Sequence, residues 1–133
     1  MQMKFERAFT TRIPLAVLII FGLKRWENRS CMPSPSIGTC GMSCSLSSSK
    51  SEYDNFLAWA GSQLPASIFS HFPDWESVKD WRGKMVAYMD YDAGSLPGDP
   101  MWDEGYSYWW HLSNVRLLDT PYSVRGNVGM WTV

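Results

Sequence analysis

The chain has 133 residues, 45% hydrophobic and 19% charged, with eight Trp, six Tyr and six Phe. This length suits one hydrophobic core, and the aromatic load with modest charge excludes a disordered chain. A net charge of −1 excludes a protein that coats nucleic acid through a general positive field.

Residues 5–11 predict an opening strand. Residues 13–23 are an apolar run in which Pro14 suits the first turn of a helix over 15–21, with Gly22 as its stop. The run follows a basic start, as a signal-peptide core does. Lys24, Arg25 and Glu27 come next without a small-residue cleavage site, however, and the run is too short to span a bilayer. It reads as a buried helix of a cytoplasmic protein, with no membrane association. Residues 24–30 are polar, and 31–39 carry two prolines and a glycine, which marks a loop. Residues 40–46 have small side chains that suit a buried strand. Ser49 and Glu52 form a capping box, Tyr53, Phe56, Leu57 and Ala60 share one helical face, and Gly61 ends that helix.

Residues 62–81 predict short helical turns broken by Pro65 and Pro73, with Phe69, Phe72, Trp75, Val78 and Trp81 packing inward. After Gly83, residues 84–91 alternate as a strand. Residues 92–105 hold three Gly, two Pro and four acids, a loop long enough to suggest function. Residues 106–118 read as a long strand or bent pair, and 129–133 as a closing strand. The sum is one α+β domain over 1–133, strand-rich, with two or three helices.

Cys31, Cys40 and Cys44 are an odd number in a chain large enough to fold without staples, which favours a reducing compartment. Cys40 and Cys44 have ligand-pair spacing, but the nearest histidine is His71 and no second pair completes a tetrahedral site. No metal or cofactor is therefore expected. Charge is uneven along the chain. Residues 1–30 carry six basic against two acidic residues, +4, and 74–104 carry three against eight, −5. Opposed faces that attract and repel phosphate would follow, or two solvated surfaces.

Gly22, Lys24, Glu27 and Arg29, in GLKRWENR, match the G-x-K-x-x-E-x-R signature of the ASCH family. The motif follows a short apolar helix, as it does there. GKMVA at 83–87 is similar to the family's central strand, and LSNVRLLDTPYSVRGNVGMWTV at 112–133 resembles its ending. Residues 35–80 and 92–105 look like elaborations on that plan. Many relatives carry Arg-Gln-Pro-Trp before the helix, whereas Arg12, Ile13, Pro14 and Leu15 keep only the arginine and proline. The resemblance implies a PUA-like small β-barrel with mixed strands, a cleft beside the motif, and a role with RNA or modified nucleosides. Some relatives are ribonucleases and others amidohydrolases acting on acetylated cytidine. In the latter a threonine stands at the position matching Glu27.

Lys24 and Glu27 are three apart, and with Arg25 and Trp26 turned away both would face one cavity. A lysine in a dry cleft can act as base or nucleophile and a carboxylate can relay its proton, so these two are the catalytic candidates if the protein is an enzyme. Arg29 would hold a phosphate or a carboxylate, and Arg12 is a further ligand-binding candidate. The alternative is an internal salt bridge that orients the first strand. On a strand, Trp110 and Leu112 face one way and Trp109, His111 and Ser113 the other, with core packing the default for Trp110. A tryptophan such as Trp109 would stack on a base and Ser113 or Asn114 read its edge. His111 would serve as a general acid or base or as a hydrogen-bonded structural residue. Three functions remain open: a module binding RNA or a nucleotide, a hydrolase in the same cleft, and a protein-interaction module using the acidic loop.

Overall fold

The computed structural model describes residues 5–94, 97–127 and 129–133. Six strands form one sheet: β1 (Arg7–Thr11), β2 (Trp26–Arg29), β3 (Ile37–Cys44), β4 (Lys84–Asp92), β5 (Tyr108–Ser123) and β6 (Met130–Thr132). Their order in space is β2-β5-β4-β3-β1-β6. Neighbours are antiparallel except β1 with β3, and the chain between those two passes through a helix and β2, the crossover that parallel pairing requires. Register shifts in the β3–β4 and β4–β5 ladders add local twist, and the sheet curls into a half-barrel.

The helices are α1 (Ile13–Ile20), α2 (Lys50–Gln63), α3 (Ala66–Phe69) and α4 (Trp75–Val78). Four replace the expected two or three, because the prolines at 65 and 73 divide the segment after α2 into separate single turns. The second is capped by Asp74 Oδ1, which accepts from Ser77 N at 2.9 Å. Pro14 sits in the first turn of α1 and Ser49 accepts from Glu52 N at 3.2 Å to cap α2, both as the sequence predicts. Gly61 does not stop α2, which runs on to Gln63 because Pro65 first forces its predecessor out of helical geometry at Leu64.

Ile13, Val17 and Ile19 of α1 are fully buried with Phe9, Met42, Met89, Leu112 and Trp110 of the sheet. Trp110 meets Phe9 edge-on at 6.0 Å and its indole N–H donates to Cys31 O, so the largest core side chain also satisfies its polar atom. Tyr53 joins α2 to this core and donates to Pro73 O at 2.7 Å.

Two elements differ in part from the sequence expectation. β3 is the buried strand expected over 40–46, but it starts earlier, at Ile37 in the stretch expected to be loop, and it lies inside the sheet between β1 and β4. β2, in a segment read only as polar, pairs with β5, with Glu27 opposite Trp110 and Asn28 opposite Trp109. The long strand also extends beyond 118 to Ser123, crossing Pro121 where its register with β4 shifts. Among the described residues, no helix is long and apolar enough to cross a membrane.

Candidate functional site

Past α1, Gly22 takes φ +74°, the left-handed geometry that glycine adopts without strain. Leu23 N and Lys24 N both donate to Leu18 O, at 2.9 and 3.1 Å, closing the helix end. The chain thus turns from helix to β2 within a few residues and brings the Lys24 side chain back along that strand. Lys24 Nζ donates to Glu27 Oε1 and to Trp26 O, both at 2.5 Å. Glu27 and Arg29 lie two apart on β2 and so share a face. Arg29 Nε donates to Glu27 Oε2 at 2.7 Å and Nη2 to Thr10 O at 2.9 Å.

The result is one carboxylate shared by two cations, with Lys24, Glu27 and Arg29 side chains 4%, 3% and 19% exposed. The rings of Phe9 and Trp110 each lie 5.4 Å from the Arg29 guanidinium carbon. Removing these charges from water is costly, and their mutual hydrogen bonds offset that cost. One positive charge is left over within the trio.

Two clefts flank the trio. The first, about 320 Å³, is lined by Gly22, Lys24, His111, Ser113 and Asn114 among others. The second, about 420 Å³, includes Thr10, Arg12, Glu27, Arg29, Ser45 and Glu104. Lys24 and Glu27, expected to face one cavity, instead face each other, and each borders a different cleft. The internal salt bridge and the cleft are both present.

The remaining sequence candidates divide accordingly. Arg12 reaches the second cleft, but its guanidinium pairs with Glu52 and donates to Ser47 Oγ at 3.0 Å, tying the start of α1 to the start of α2. His111 borders the first cleft with its ring 4.7 Å from that of Trp26. Ser113 is exposed beside it, and Asn114 holds φ +54° at a register shift while donating to Asp90 Oδ2. Trp109 lines neither cleft. It stands edge-on to Trp26 at 6.3 Å, and the Gly98 backbone packs so closely on its indole that a side chain there would collide with the ring.

Sequence reasoning missed Asn28 and Trp102. Asn28 is fully buried; its Oδ1 accepts from Glu104 N and Tyr106 N at 2.9 Å, and its Nδ2 donates to Tyr106 O and Tyr108 O at 3.0 Å. That uses all four bonds an amide side chain makes with two donors and two acceptor lone pairs. Those bonds draw the end of the long loop against β2, and the 3-10 turn Pro100–Trp102 sets the Trp102 ring centroid 5.3 Å from Lys24 Nζ. The only sequence signal was the position of Asn28 inside the motif, since a lone asparagine between charged residues ordinarily faces water.

Among the described residues, no group of three or more His, Cys, Asp or Glu is placed to hold a metal. Cys40 and Cys44 are buried in β3. Burial pushes both thiols up to about 12, with the Asp90 charge adding to the effect on Cys40. A scan against protein-family models finds no matching family, and a search of curated proteins finds no match.

Proposed function

We propose that the chain is an ASCH-type module with a PUA-like barrel, binding RNA or a modified nucleotide at the clefts beside Lys24, Glu27 and Arg29. The observation that supports this reading is the buried trio with its surplus positive charge, set between two clefts of ligand size. A phosphate suits the second cleft, where Arg29 has guanidinium N–H groups beyond the two bonds made by Nε and Nη2, and where Thr10 and Ser45 add hydroxyls. A base edge suits the first, with Ser113 and Asn114 as hydrogen-bonding groups. The three free cysteines suit a reducing, cytoplasmic setting.

Binding is favoured over hydrolysis by the state of the candidate catalytic groups. The Lys24 ammonium donates to two acceptors, and among the described residues no side-chain hydrogen bond joins His111 to Lys24 or Glu27. Glu27 is near enough to exchange a proton with Lys24, but it is also held by Arg29, so both members of the pair are occupied as an ion pair rather than turned toward a substrate. The test is a thermal-shift and affinity screen against nucleosides, modified nucleosides, nucleotides and short RNAs, with mass analysis of each mixture. The expected result is a hit without turnover, lost in Lys24→Met and Arg29→Lys variants that remain folded. A ligand whose mass changes establishes a hydrolase instead, and silence across the panel rejects the reading.

A further inference from the structure

We propose that residues 99–106 form a built-in competitor for the ligand of the Lys24–Glu27–Arg29 site, with Trp102 standing in for a planar base and Glu104 for its phosphate. The ligand class rests on the nucleotide-binding reading above, whereas the cover itself rests on geometry alone. Trp102 lays its ring over Lys24 Nζ at 5.3 Å, and Lys24 is 4% exposed although it borders the first cleft. Glu104 lines the second cleft together with Arg29 and Arg12, so an acidic residue borders the place where an anion would arrive. Two residues of spacing thus place an aromatic face on one cation and an acidic residue at the cleft that the other lines. These are the same two attractions that a nucleotide offers.

The cover is firm at its base and lightly held at its tip. Asn28 fixes the base through its four hydrogen bonds to residues 104, 106 and 108. At the tip, the described hydrogen bonds are internal: Asp99 Oδ1 accepts from Met101 N at 3.0 Å, and Trp102 N donates to Asp99 O at 2.9 Å. What holds Trp102 on Lys24 is therefore a ring–cation attraction and local packing, which a ligand with a better ring and a full phosphate displaces. Asp99 and Asp103 add negative charge to the same segment, and that charge favours its resting place beside two cations.

Reductive methylation of the full chain with formaldehyde and a borane, read lysine by lysine by peptide mass spectrometry, tests the cover without any ligand. Lys24 is expected to react far more slowly than exposed Lys50. Trp102→Ala should raise the Lys24 rate by about tenfold, as loss of a local closing interaction does, while Trp102→Phe keeps it slow and Lys50 and Lys79 are unchanged. An unaltered Lys24 rate in folded Trp102→Ala overturns the cover, whatever the protein binds. Affinity for the four nucleoside 5′-monophosphates then tests competition: Glu104→Gln should tighten binding severalfold, and unchanged or weaker binding overturns that half of the proposal. If no monophosphate binds any variant, the nucleotide reading fails and competition fails with it, leaving the labelling rates to decide the cover alone.

Discussion

Replacing Lys24 by Met removes one of two cations on the Glu27 carboxylate, and the Glu27–Arg29 pair survives. Replacing Glu27 by Gln does the opposite, leaving two cations in contact with a neutral amide in a site that is almost dry. The second change is expected to cost about 3–5 kcal/mol and the first roughly 1–3 kcal/mol. Urea unfolding of the two variants measures both, and equal costs would mean that Arg29 contributes little to the trio. Cysteine chemistry gives a second prediction at this scale. Ellman's reagent at neutral pH should titrate half-buried Cys31 and leave Cys40 and Cys44 unreacted until the chain is unfolded, because burial opposes their thiolates. The linkage has a definite sign. Both thiols are raised from 9.0 to about 12, so the unfolded chain loses these protons first as the solution becomes alkaline. Stability should fall as pH climbs from about 9 to about 12 and be insensitive to these groups below that window. A pH series of denaturation midpoints on the Cys40→Ala, Cys44→Ala double variant checks this, since its alkaline slope should be shallower.

At the level of elements, the sequence was readable where periodicity or a cap dominates. The start of α1 at Pro14, the capping box of α2 and the alternation of β4 each carry a local signal strong enough to survive in the tertiary structure. β3 was readable only in its second half, and β2 not at all, for two different reasons. In β3, Gly38, Gly41 and Ser43 dilute the apolar signal, and at the two glycines the neighbouring Tyr91, Phe5 and Met85 leave little room for a side chain. A Cβ on Gly41 would run into the Phe5 ring and lie 2.6 Å from Met85 Sδ. Gly41→Ala is accordingly expected to destabilise by about 1–3 kcal/mol despite the better strand propensity of alanine. A thermal melt checks it, and a neutral or stabilising result would show that Phe5 swings away at little cost. In β2, the Glu, Asn and Arg of Trp-Glu-Asn-Arg look fit for solvent, yet Glu27 and Asn28 are buried. Asn28 finds its partners at residues 104–108, distant in sequence, and Glu27 is neutralised by its neighbours Lys24 and Arg29, so no apolar alternation announces the strand. The candidate site has the same character. The motif itself marked Lys24, Glu27 and Arg29, while Asn28 and Trp102 emerge only when the loop folds back over them.

For the whole molecule, the open question in a curled sheet is what holds its two ends together. β2 lies at one end of the strand order, and β1 lies one strand in from the other. Arg29 joins them, with Nε on Glu27 of its own strand, Nη2 on Thr10 O of β1, and its guanidinium carbon 5.4 Å from the ring centroids of both Phe9 and Trp110. The second cleft opens beside that link, lined by residues of β1 and β2 and by Asn127 and Gly129 just before β6. The arginine that lines this cleft therefore also ties its two sides together. Arg29→Lys keeps the charge but cannot present a planar fork to a carboxylate and a carbonyl at once. It is expected to cost roughly 2–3 kcal/mol, a charge-assisted hydrogen bond with its packing. Amide exchange should rise in β1 and β2 together while central β4 stays protected. Exchange that rises only in β2 would place the closure of the barrel in the packing of Phe9 against Trp110, and the cleft would then keep its shape without the arginine.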